Sequence, residues 1–417
     1  MRPIIRMAGL KILVFNAGSA SLKFDVIEAD AEQASPHDGR TMVSGILEGI
    51  GKEEATLSRL HGKDPKGKAK VSAKNYAEAT REALKWLAGQ KLTEVSGLES
   101  LDLVVHRVVH GGNKFQRATL INDDVIAAIN ELRTMAPLHN APALEVIHAS
   151  REVLGPGQRM IVGFDTVFHG SLPPAAYNYA LPSELVDRHQ IRRFGFHGPS
   201  HEYLLLRYCE LTATPREKAS LITLHLESGC SACAIHKGHS VDTSMGFTPL
   251  EGLVMGMRSG DIDPALVGFI ARQENLDIDE VEELLNKKSG LLGMSGISHD
   301  TRVLMDQMEG NDRIRLAMDV FCYRVRKYVG AYLAVLRGEA TAIVFGGGIG
   351  EDTPWIREQV CSGMEWCGLR LDAGENSRII NSEGRISSGD SRIQAFVIPT
   401  QEALMLAHQA VHVVRRA

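Results

Sequence analysis

Short apolar runs that end in small or polar residues recur along the chain and predict the buried strands of an α/β fold. Residues 11–28 read KILVFNAGSASLKFDVIE, an apolar strand, a small-residue turn and a second strand. Residues 221–235 read LITLHLESGCSACAI and repeat this pattern, with Gly229 about half a chain beyond Gly18. The repeat indicates a duplicated fold with a cleft between its halves. Each turn suits a phosphate, which can approach small residues closely, although either turn by itself is equally consistent with a plain hairpin.

Helical spacing and further apolar runs fill the rest of the chain. Helices are expected over residues 76–88, 123–135, 261–290 and 312–336, and from Gln401-Glu402 to the end. Buried strands are expected over residues 101–112, 160–169 and 342–352, the last leading through a glycine turn into a helix. The proline-bounded stretch 137–142, PLHNAP, is expected to be a rigid loop that displays His139.

Composition narrows the class of protein. The length of 417 residues suggests two or three domains, and 44% hydrophobic with 23% charged residues is typical of a globular protein. The net charge is −5 with dispersed basic residues, which argues against binding to nucleic acid or an anionic membrane. The chain has no apolar run near the ~18 residues of a membrane span and no signal-peptide pattern. These features predict a soluble cytoplasmic protein.

The six cysteines show no disulfide-framework spacing and are expected to be reduced thiols. Cys230 and Cys233 form a C-x-x-C pair, but they lie on an apolar strand and no second pair matches them. Core thiols are therefore favoured over zinc binding or redox chemistry.

Residues 241–264, VDTSMGFTPLEGLVMGMRSGDIDP, form the most distinctive segment and are called the Arg258 loop below. Long glycine-bearing loops without periodicity are more often functional than accidental, and a crossover that merely packs is the alternative. A second arginine, Arg107, lies inside an apolar strand, where its charge needs a partner. A bound anion is favoured there over a structural salt bridge, because Gly111-Gly112 suggests open space beside it.

Three further side chains stand at positions where α/β sheets place their chemistry. Asp165 ends the strand 160–169, and His197 lies in the stretch RRFGFHGPSH. His139 is a lone histidine, which is more often structural than functional. Any of these residues could instead cap a helix or a strand. Only their meeting at one site would favour a catalytic role over a capping role.

Several motifs in register resemble the acetate kinase family. They are Asn16-Ala17-Gly18-Ser19-x-Ser21-Leu22-Lys23-Phe24, His106-Arg107-x-x-His110-Gly111-Gly112, Phe164-Asp165-Thr166, Phe196-His197-Gly198, residues 242–252, Arg258-Ser259-Gly260-x-x-Asp263-Pro264 and Gly348-Ile349-Gly350-Glu351. The likeness runs from about Lys11 to the last helix. It implies an α/β fold of two duplicated ribonuclease-H-like (actin-like ATPase) domains with an interdomain cleft. The domains would be residues 1–165, with helix 403–417 returning to them, and residues 166–402.

The resemblance also implies an activity. Such enzymes transfer the γ-phosphoryl group of ATP reversibly to acetate, giving acetyl phosphate and ADP, and they require Mg²⁺. Propionate or butyrate kinase activity is the alternative within the family. A homodimer is implied as well, with a small carboxylic acid and ATP or ADP as ligands.

Roles carried over by motif follow from the same resemblance. Arg107 and Arg258 would hold the carboxylate and the transferring phosphoryl group. His197 would donate to the equatorial oxygens of that group with help from His139, and Asp165 would be the acid–base or Mg²⁺-orienting carboxylate. The remaining residues would bind Mg²⁺ (Asn16, Glu402), line the acid pocket (Val109, Leu138, Phe196, Pro249) and bind the nucleotide (Lys23, His225, Gly229, Asp300, Arg302, Gly347, Gly348, Ile349, Gly350, Glu351).

This chain departs from the family pattern in the second hairpin turn. The family has Leu-Gly-Asn-Gly-Ala-Ser there, and this chain has Leu-Glu-Ser-Gly-Cys-Ser with Glu227 and Ser228 in the turn. Gln401 replaces an acidic residue before Glu402, and Asp352 replaces an asparagine. A carboxylate beside phosphates is repulsive unless a cation bridges it. Weaker ATP binding, another phosphoryl donor such as pyrophosphate, a different acid, or a non-catalytic nucleotide-binding relative are therefore alternatives.

Overall fold

Two mixed β-sheets organise the chain, one in each of two units. The computed structural model describes residues 9–18, 20–33, 35–61, 64–89 and 97–416. Unit 1 comprises residues 1–167 and 401–417, and unit 2 comprises residues 168–400. The expected division fell at Asp165 and Ala403, so the structure places Glu402 in unit 1 rather than in the second domain. Ser19, part of the first turn motif, lies outside the described residues.

The strands form one sheet in each unit. In unit 1 they are β1 Leu10–Ala17, β2 Ser21–Ala29, β3 Arg40–Glu48, β4 Ala55–His61, β5 Asp64–Val71, β6 Leu103–Val108, β7 Thr119–Leu120 and β8 Met160–Phe164. In unit 2 they are β9 Leu221–Leu226, β10 Cys230–His236, β11 His239–Thr243, β12 Ala342–Gly346, β13 Gly384–Arg385 and β14 Gln394–Val397. The strand orders are β5-β4-β3-β2-β1-β6-β8-β7 and β11-β10-β9-β12-β14-β13.

The helices cover the sheets of their own units. Unit 1 has α1 Tyr76–Gly89, α2 Asp123–Glu131, α3 Pro137–Leu154 and the last helix, α15 Glu402–Arg416. Unit 2 has α4 Pro174–Tyr177, α5 Ser183–His189, α6 Gly198–Thr212, α7 Ala265–Glu274, α8 Ile278–Lys287, α9 Gly290–Ser295, α10 Thr301–Asp306, α11 Asp312–Val335, α12 Gly347–Asp352, α13 Pro354–Cys361 and α14 Ala373–Arg378.

The two sheets share a five-strand arrangement, which confirms the duplication expected from the repeated hairpins. In unit 1 the order β3-β2-β1-β6-β8 has two antiparallel pairings followed by two parallel ones. In unit 2 the order β11-β10-β9-β12-β14 has the same sequence of pairings. Each unit therefore begins with an antiparallel hairpin and adds parallel strands on one side, which requires helical crossovers.

The sheet of unit 1 is buried on both faces, which explains why β1 reads as a continuous apolar run. Leu13 and Phe15 pack in a core with residues of α1 and α3. Ile12 and Val14 point to the other face and pack in a core that contains five buried side chains of α15 (Leu404, Leu406, Ala407, Ala410, Val411). The last helix of the chain thus completes the core of the first unit.

The stretch 137–142 is helical, so the loop expected there is wrong. Pro137 occupies the first turn of α3, where a missing N–H costs nothing. Pro142 lies inside the helix, and tertiary contacts outweigh its local preference. Buried Asn140 accepts a hydrogen bond from the His110 N–H at 3.1 Å and donates one to the His110 carbonyl at 3.0 Å. These bonds tie the first turns of α3 to the chain beyond β6.

Two other expected helices have different bounds. The stretch 261–290 contains α7 and α8, because Asn275 ends α7 in the left-handed conformation with φ 54°. Asp277 then caps α8 by accepting a hydrogen bond from the Glu280 N–H at 2.9 Å. The expected helix 123–135 ends at Glu131 and continues as a 3₁₀ turn over residues 132–134.

The six thiols are free, and Cys230 and Cys233 are fully buried. Burial raises the pKa of Cys230 to about 12 and that of Cys233 further, so both remain protonated. This confirms the interpretation as core thiols. Within the described residues, no helix is both long and apolar enough to cross a membrane.

Several histidines are buried in neutral surroundings. His106 on β6 is fully enclosed and stacks on Phe15 with ring centroids 5.7 Å apart. Neither of its ring nitrogens has a hydrogen-bond partner within the described part of the chain. Burial lowers the pKa of His106 to about 3 and that of His169 in unit 2 to about 4.

These lowered pKa values predict that stability falls as the pH drops below about 6.5. The unfolded chain binds a proton at each such histidine below its ordinary pKa, and the folded chain does not until the pH approaches 3 to 4. Each such buried histidine then lowers the free energy of unfolding by about 1.4 kcal/mol for every unit by which the pH falls. His106→Asn should reduce the slope of unfolding free energy against pH by about that amount between pH 6 and 4.5, measured by urea unfolding. His148→Asn, at an exposed site on α3, is the matched control, and equal slopes for wild type and His106→Asn would contradict the prediction.

Candidate functional site

Three side chains of unit 1 surround the Arg107 guanidinium. Together with Arg107 they form the arginine cluster, whose members are Asn16, Arg107, Asp165 and Glu402. Arg107 donates to both carboxylate oxygens of Asp165, from Nε at 2.7 Å and from Nη2 at 2.6 Å. Its Nη1 donates to Asn16 Oδ1 at 3.1 Å and to Glu402 Oε2 at 3.0 Å. The Asn16 amide in turn donates to Glu402 Oε2 at 3.2 Å. The fork geometry makes the Arg107–Asp165 pair the strongest of these contacts.

The parallel strands of unit 1 place these groups at one edge of the sheet. β1 and β6 pair with Phe15 opposite His106, so the next residues, Asn16 and Arg107, lie side by side near the carboxyl ends of these strands. Asp165 follows β8, and its N–H donates to the Val108 carbonyl at 3.2 Å. Carboxyl ends of neighbouring parallel strands meet at the same edge, which is where α/β sheets hold their ligands.

The Arg107 side chain forms a salt bridge with Asp165. The sequence had favoured a bound anion at Arg107 over a structural salt bridge. Asp165 is 1% exposed and Arg107 13% exposed, so each charge is compensated by the other. The open space expected beside Gly111-Gly112 is also filled. A Cβ at Gly111 would lie 3.0 Å from Phe164, and one at Gly112 would lie 2.7 Å from Leu132. These glycines allow close packing rather than ligand access.

The arginine cluster offers hard oxygen donors. It contains two carboxylates and one amide oxygen, and carboxylates with water and phosphate oxygens are the ligands that Mg²⁺ prefers. Within the described residues, no group of three or more His, Cys, Asp or Glu side chains could hold a metal by itself. The donor set is therefore suited to a cation that is shared with a phosphate ligand.

The other residues predicted for unit 1 lie near the same sheet edge. Val109 follows β6 and is half-buried, and His139 is half-buried in the first turn of α3. Exposed Lys23 pairs with Asn16 across the β1–β2 hairpin. The side chain of Leu138 lies outside the described part of the structure.

In unit 2, the turn of residues 227–229 lies beside two predicted catalytic side chains. A Cβ placed on Gly229 would be 3.3 Å from His197 Cε1 and 3.5 Å from Arg258 Nη1. The His225 ring is 4.4 Å from that of His197. The structure thus brings together His197, His225, Gly229 and Arg258, which come from three separate stretches of the sequence. A side chain larger than glycine at position 229 would crowd both catalytic candidates.

His197 is held in a left-handed backbone conformation, with φ 57°, at the start of α6. The residue before it is fixed by buried His169, whose Nε2 lies 2.9 Å from the Phe196 carbonyl. A carbonyl only accepts, so Nε2 carries the proton. Because burial lowers the pKa of His169 to about 4, its ring is neutral, and Nδ1 accepts from the Ser240 hydroxyl at 2.8 Å. The tautomer of His169 is thereby determined.

A hydrogen-bonded chain runs inward from His197. Its Nδ1 lies 2.8 Å from Ser231 Oγ, which is 2.8 Å from His201 Nε2, and His201 Nδ1 is 2.8 Å from Thr223 Oγ1. Burial lowers the pKa of His201 well below its usual value, so that ring is neutral. The single proton of the Ser231 hydroxyl can serve only one of the two rings. If Ser231 donates to His197 Nδ1, then the His197 proton is on Nε2.

The turn itself carries the departure noted in the sequence. The Glu227 side chain is 47% exposed, with Oε2 3.6 Å from Nε2 of the buried His225. The Glu227 N–H donates to the Gly229 carbonyl at 3.2 Å, and the Gly256 N–H donates to the Ser228 carbonyl at 3.0 Å. The second bond ties the turn to the Arg258 loop, so Glu227 lies on a fixed backbone close to the imidazole pair.

The Arg258 loop folds back on itself. Arg258 Nη1 donates to the Pro249 carbonyl at 3.2 Å, and the Arg258 carbonyl accepts from the Met255 N–H at 3.2 Å. Gly260 has φ 67°, and a Cβ there would lie 2.4 Å from the Leu253 carbonyl oxygen. Phe196, predicted for the acid pocket, is 1% exposed. Sequence reasoning missed Arg193 and Glu251, which hold this loop, although a lone glutamate among its apolar residues was a signal.

The residues predicted to bind a nucleotide occupy two places in unit 2. Gly347 has φ 75°, and a Cβ there would lie 2.5 Å from the Leu226 carbonyl oxygen, whereas one on Gly348 would meet nothing within 4 Å among the described residues. Ile349 and Gly350 follow in α12 and are buried. The α12 turn therefore offers an open backbone at Gly348.

Glu351 and Asp300 bind groups of the protein itself. The fully buried Glu351 carboxylate accepts from the Thr400 N–H at 3.0 Å and hydroxyl at 3.1 Å. It therefore braces the α12 turn from the inside. Asp300 caps α10 and accepts from the exposed Arg302 guanidinium at 3.1 and 2.8 Å, and this bond lowers the pKa of Asp300.

Comparison with known proteins identifies relatives over nearly the whole chain. A family model described as the acetokinase family matches residues 11–408. A protein of Solibacter usitatus (strain Ellin6076) named acetate kinase is 46% identical over 406 residues, which cover 96% of this chain and 98% of that protein. A Chloroherpeton thalassium protein of the same name is 42% identical over 418 residues, covering 98% of this chain and all of that protein (100%).

Solved structures agree. The crystal structure of Porphyromonas gingivalis acetate kinase has a TM-score of 0.88 at 38% identity and covers 97% of this chain and 100% of its own. That of a propionate kinase from Francisella tularensis subsp. tularensis SCHU S4 has a TM-score of 0.85 at 35% identity and covers 96% and 98%. This likeness confirms the expected fold class, α/β with duplicated ribonuclease-H-like (actin-like ATPase) domains.

The arginine cluster predicts a large effect on stability. Arg107→Ala removes the guanidinium from the buried Asp165 carboxylate, and breaking a buried ion pair from one side costs about 3–5 kcal/mol. We expect a loss of that size in the free energy of unfolding measured with urea. The double variant Arg107→Ala/Asp165→Asn should recover part of it, because the more deeply buried of the two carboxylates, 1% exposed against 18% for Glu402, is then neutral. A loss below about 1 kcal/mol, the value of an exposed pair, would contradict the prediction.

Proposed function

Because the chain belongs to the acetokinase family, we propose that it is an acetate kinase. It transfers the γ-phosphoryl group of ATP reversibly to acetate and releases acetyl phosphate and ADP. The observation that carries this proposal is the meeting in unit 2 of His197 and Arg258, which the family likeness assigns to phosphoryl transfer, with Gly229, which it assigns to the nucleotide. Propionate is the alternative acid, because a propionate kinase is among the similar solved structures.

The reaction demands charge stabilisation more than covalent chemistry. An acetate oxygen forms a bond to the γ-phosphorus as the bond to the β,γ-bridging oxygen breaks, and ADP leaves with that electron pair. The carboxylate and the phosphates repel one another, so cationic and hydrogen-bonding groups must hold them in line.

The residues of unit 2 supply donors for the phosphoryl group. Arg258 offers a guanidinium whose position is fixed by its bond to the Pro249 carbonyl. His197 donates from Nε2 to an equatorial oxygen, provided that Nδ1 accepts from Ser231. The chain through Ser231, His201 and Thr223 can maintain that tautomer, since neutral His201 can donate from Nε2 to Ser231 and accept at Nδ1 from Thr223.

The arginine cluster of unit 1 has the proposed roles of binding the acid carboxylate and Mg²⁺. Arg107 binds the acid carboxylate, and Asp165 and Glu402 keep that guanidinium oriented. Asn16 and Glu402 would provide oxygen donors for Mg²⁺, which when bound would neutralise phosphate charge. Asp165 is the protein's acid–base or metal-orienting carboxylate. His139, half-buried in the first turn of α3, assists at the same site.

The remaining roles concern specificity and location. The family likeness assigns Val109 and Leu138 in unit 1, and Phe196 and Pro249 in unit 2, to the alkyl end of the acid, of which one methylene is worth about 1–3 kcal/mol. Nucleotide contacts come from the α12 turn, Asp300, Arg302, His225 and Gly229, with Lys23 as an additional cation. A cytoplasmic homodimer is part of the proposal and is supported by the family likeness.

The proposal is tested by trapping acetyl phosphate as its hydroxamate, with Mg²⁺, ATP and acetate, propionate or butyrate. We expect acetate to give the highest kcat/KM and chelation of Mg²⁺ to stop turnover. Arg258→Ala should lower kcat by about 10²–10³ because it removes charge stabilisation, with unchanged thermal unfolding. Arg207→Ala, at a surface ion pair of unit 2 with Glu383, is the matched control. A melting shift with ATP but no acid-dependent turnover would instead identify a nucleotide-binding relative.

Glu227 makes a separate prediction about the phosphoryl donor. Its half-exposed carboxylate lies in the turn proposed to meet the phosphates and should repel them. Glu227→Gln keeps the side-chain volume and removes the charge, so it should lower the KM for MgATP about two- to fivefold, the size of a partly exposed charge interaction. Glu227→Asp, which retains the charge, is the control. Pyrophosphate is run as a second donor, and faster wild-type turnover with pyrophosphate than with ATP would show that the turn has changed the donor.

A further inference from the structure

We propose that Tyr179, Arg193 and Glu251, called the clamp below, position Arg258 and the Pro249 carbonyl for the reaction and so help to select the acid. None of the three was assigned a role in the reaction above. The inference rests on the proposed kinase function and adds the positioning residues of its acid-binding loop.

Arg193 binds the start of the Arg258 loop through backbone carbonyls. Its Nη1 lies 3.0 Å from the Thr243 carbonyl oxygen and 3.1 Å from those of Ser244 and Met245. The side chain is only 17% exposed. Three successive carbonyls that converge on one guanidinium nitrogen hold a sharply curved backbone. The guanidinium keeps a second nitrogen for a further partner, which a lysine with its single ammonium group lacks.

The same guanidinium reaches a residue further along the loop. Nη2 of Arg193 donates to Glu251 Oε1, and the Tyr179 hydroxyl donates to Glu251 Oε2. Burial and then the Glu251 carboxylate raise the pKa of Tyr179, so the hydroxyl keeps its proton. That hydroxyl also accepts from the Phe247 N–H at 2.8 Å. Each polar atom of the clamp therefore meets a loop group or another member of the clamp.

Close packing against Gly246 fixes the arrangement of the clamp side chains. A Cβ at Gly246 would lie 1.7 Å from Glu251 Oε2 and 2.2 Å from the Tyr179 hydroxyl. Glycine is thus required at position 246 because the two side chains meet directly over its backbone. The Phe194 and Gly195 N–H groups donate to the Gly246 carbonyl at 3.0 and 3.3 Å, which joins the segment leading to His197 to the loop.

The clamp fixes the loop on both sides of Pro249. Phe247 is held by Tyr179, and Glu251 is held by Tyr179 and Arg193, so Pro249 lies midway between two anchored residues. Its carbonyl is the acceptor for Arg258 Nη1 at 3.2 Å. A shift of the clamp would therefore move both the guanidinium and one wall of the acid pocket. Small displacements of catalytic groups of about 1 Å can cost about 10²-fold in rate.

The far end of the loop has its own support. The Asp261 carboxylate accepts from the Gly252 N–H at 2.8 Å and from the Tyr328 hydroxyl at 2.7 Å. Within the described residues, the clamp forms no hydrogen bond with the α12 turn or with Asp300. Loss of the clamp should therefore affect the acid and the phosphoryl group while sparing the nucleotide.

The test uses Tyr179→Phe, which removes one hydroxyl and keeps the ring. We expect the kcat/KM for acetate to fall about tenfold, the KM for MgATP to change less than about twofold, and the ratio of propionate to acetate activity to rise as the pocket loosens. Tyr208→Phe is the matched control, because Tyr208 is a buried tyrosine of unit 2 whose hydroxyl is 3.4 Å from Thr341 Oγ1 and remote from the loop in sequence. It should leave all three quantities unchanged.

A double-mutant cycle separates positioning from general destabilisation. In the Arg258→Ala background, Tyr179→Phe should lower the rate less than about twofold, because the group it positions is gone. A full tenfold loss in that background, or an equal rise in the KM for MgATP, would overturn the proposal. Arg193→Lys should behave like Tyr179→Phe, with Arg207→Lys as its control.

Hydrogen exchange distinguishes failure of the clamp from failure of the proposed function. Amides of residues 243–258 should exchange at least about fivefold faster in Tyr179→Phe than in wild type or Tyr208→Phe. If wild type forms no acyl phosphate, the kinase function fails, and the exchange result still decides the clamp. Unchanged exchange of this segment would overturn the clamp even in an active enzyme.

Discussion

A charge can be buried in a protein only where an opposite charge or several dipoles meet it, and this constraint shapes the functional part of each unit. In unit 1 the Arg107 guanidinium is compensated by Asp165 and Glu402, which lie at the end of β8 and at the start of α15. In unit 2 Arg193 is compensated by Glu251 and by loop carbonyls. Both arrangements hold their side chains in a fixed geometry, because breaking either pair from one side leaves an uncompensated buried charge.

The duplicated sheets use the same strand ends for different chemistry. Unit 1 gathers carboxylates and an arginine beyond its parallel strands. Unit 2 gathers imidazoles beside a glycine turn, and burial keeps His169 and His201 uncharged. A common scaffold thus supplies oxygen donors suited to a cation in one copy and N–H donors suited to an anion in the other. The side chains at these ends differ between the copies, whereas the order and direction of the central strands are retained.

Local sequence patterns predicted many of the strands and helices, but they did not predict the contacts between residues that are far apart in sequence. Strands such as β1, β6 and β9 were predictable because both faces are buried and their apolar runs are continuous. The helix at 137–154 was not, because the bonds of Asn140 to His110 outweigh the preference of two prolines, and no local signal reports them. The salt bridge of Arg107 was missed for a similar reason, since Glu402 is 295 residues away. Family motifs identified the catalytic candidates, but Arg193 became evident only from its contacts.

The return of α15 to unit 1 has a consequence for synthesis on the ribosome. One face of β1 packs against Leu404, Leu406 and Ala407, and these residues emerge only after all of unit 2 has been made. At about 5–20 residues per second this interval lasts roughly 10–50 s. Throughout it the nascent first unit has an apolar sheet face without its native cover and a guanidinium without Glu402. Unit 1 therefore begins to fold first and is completed last, and the interval is the period in which chaperone binding would protect it from aggregation.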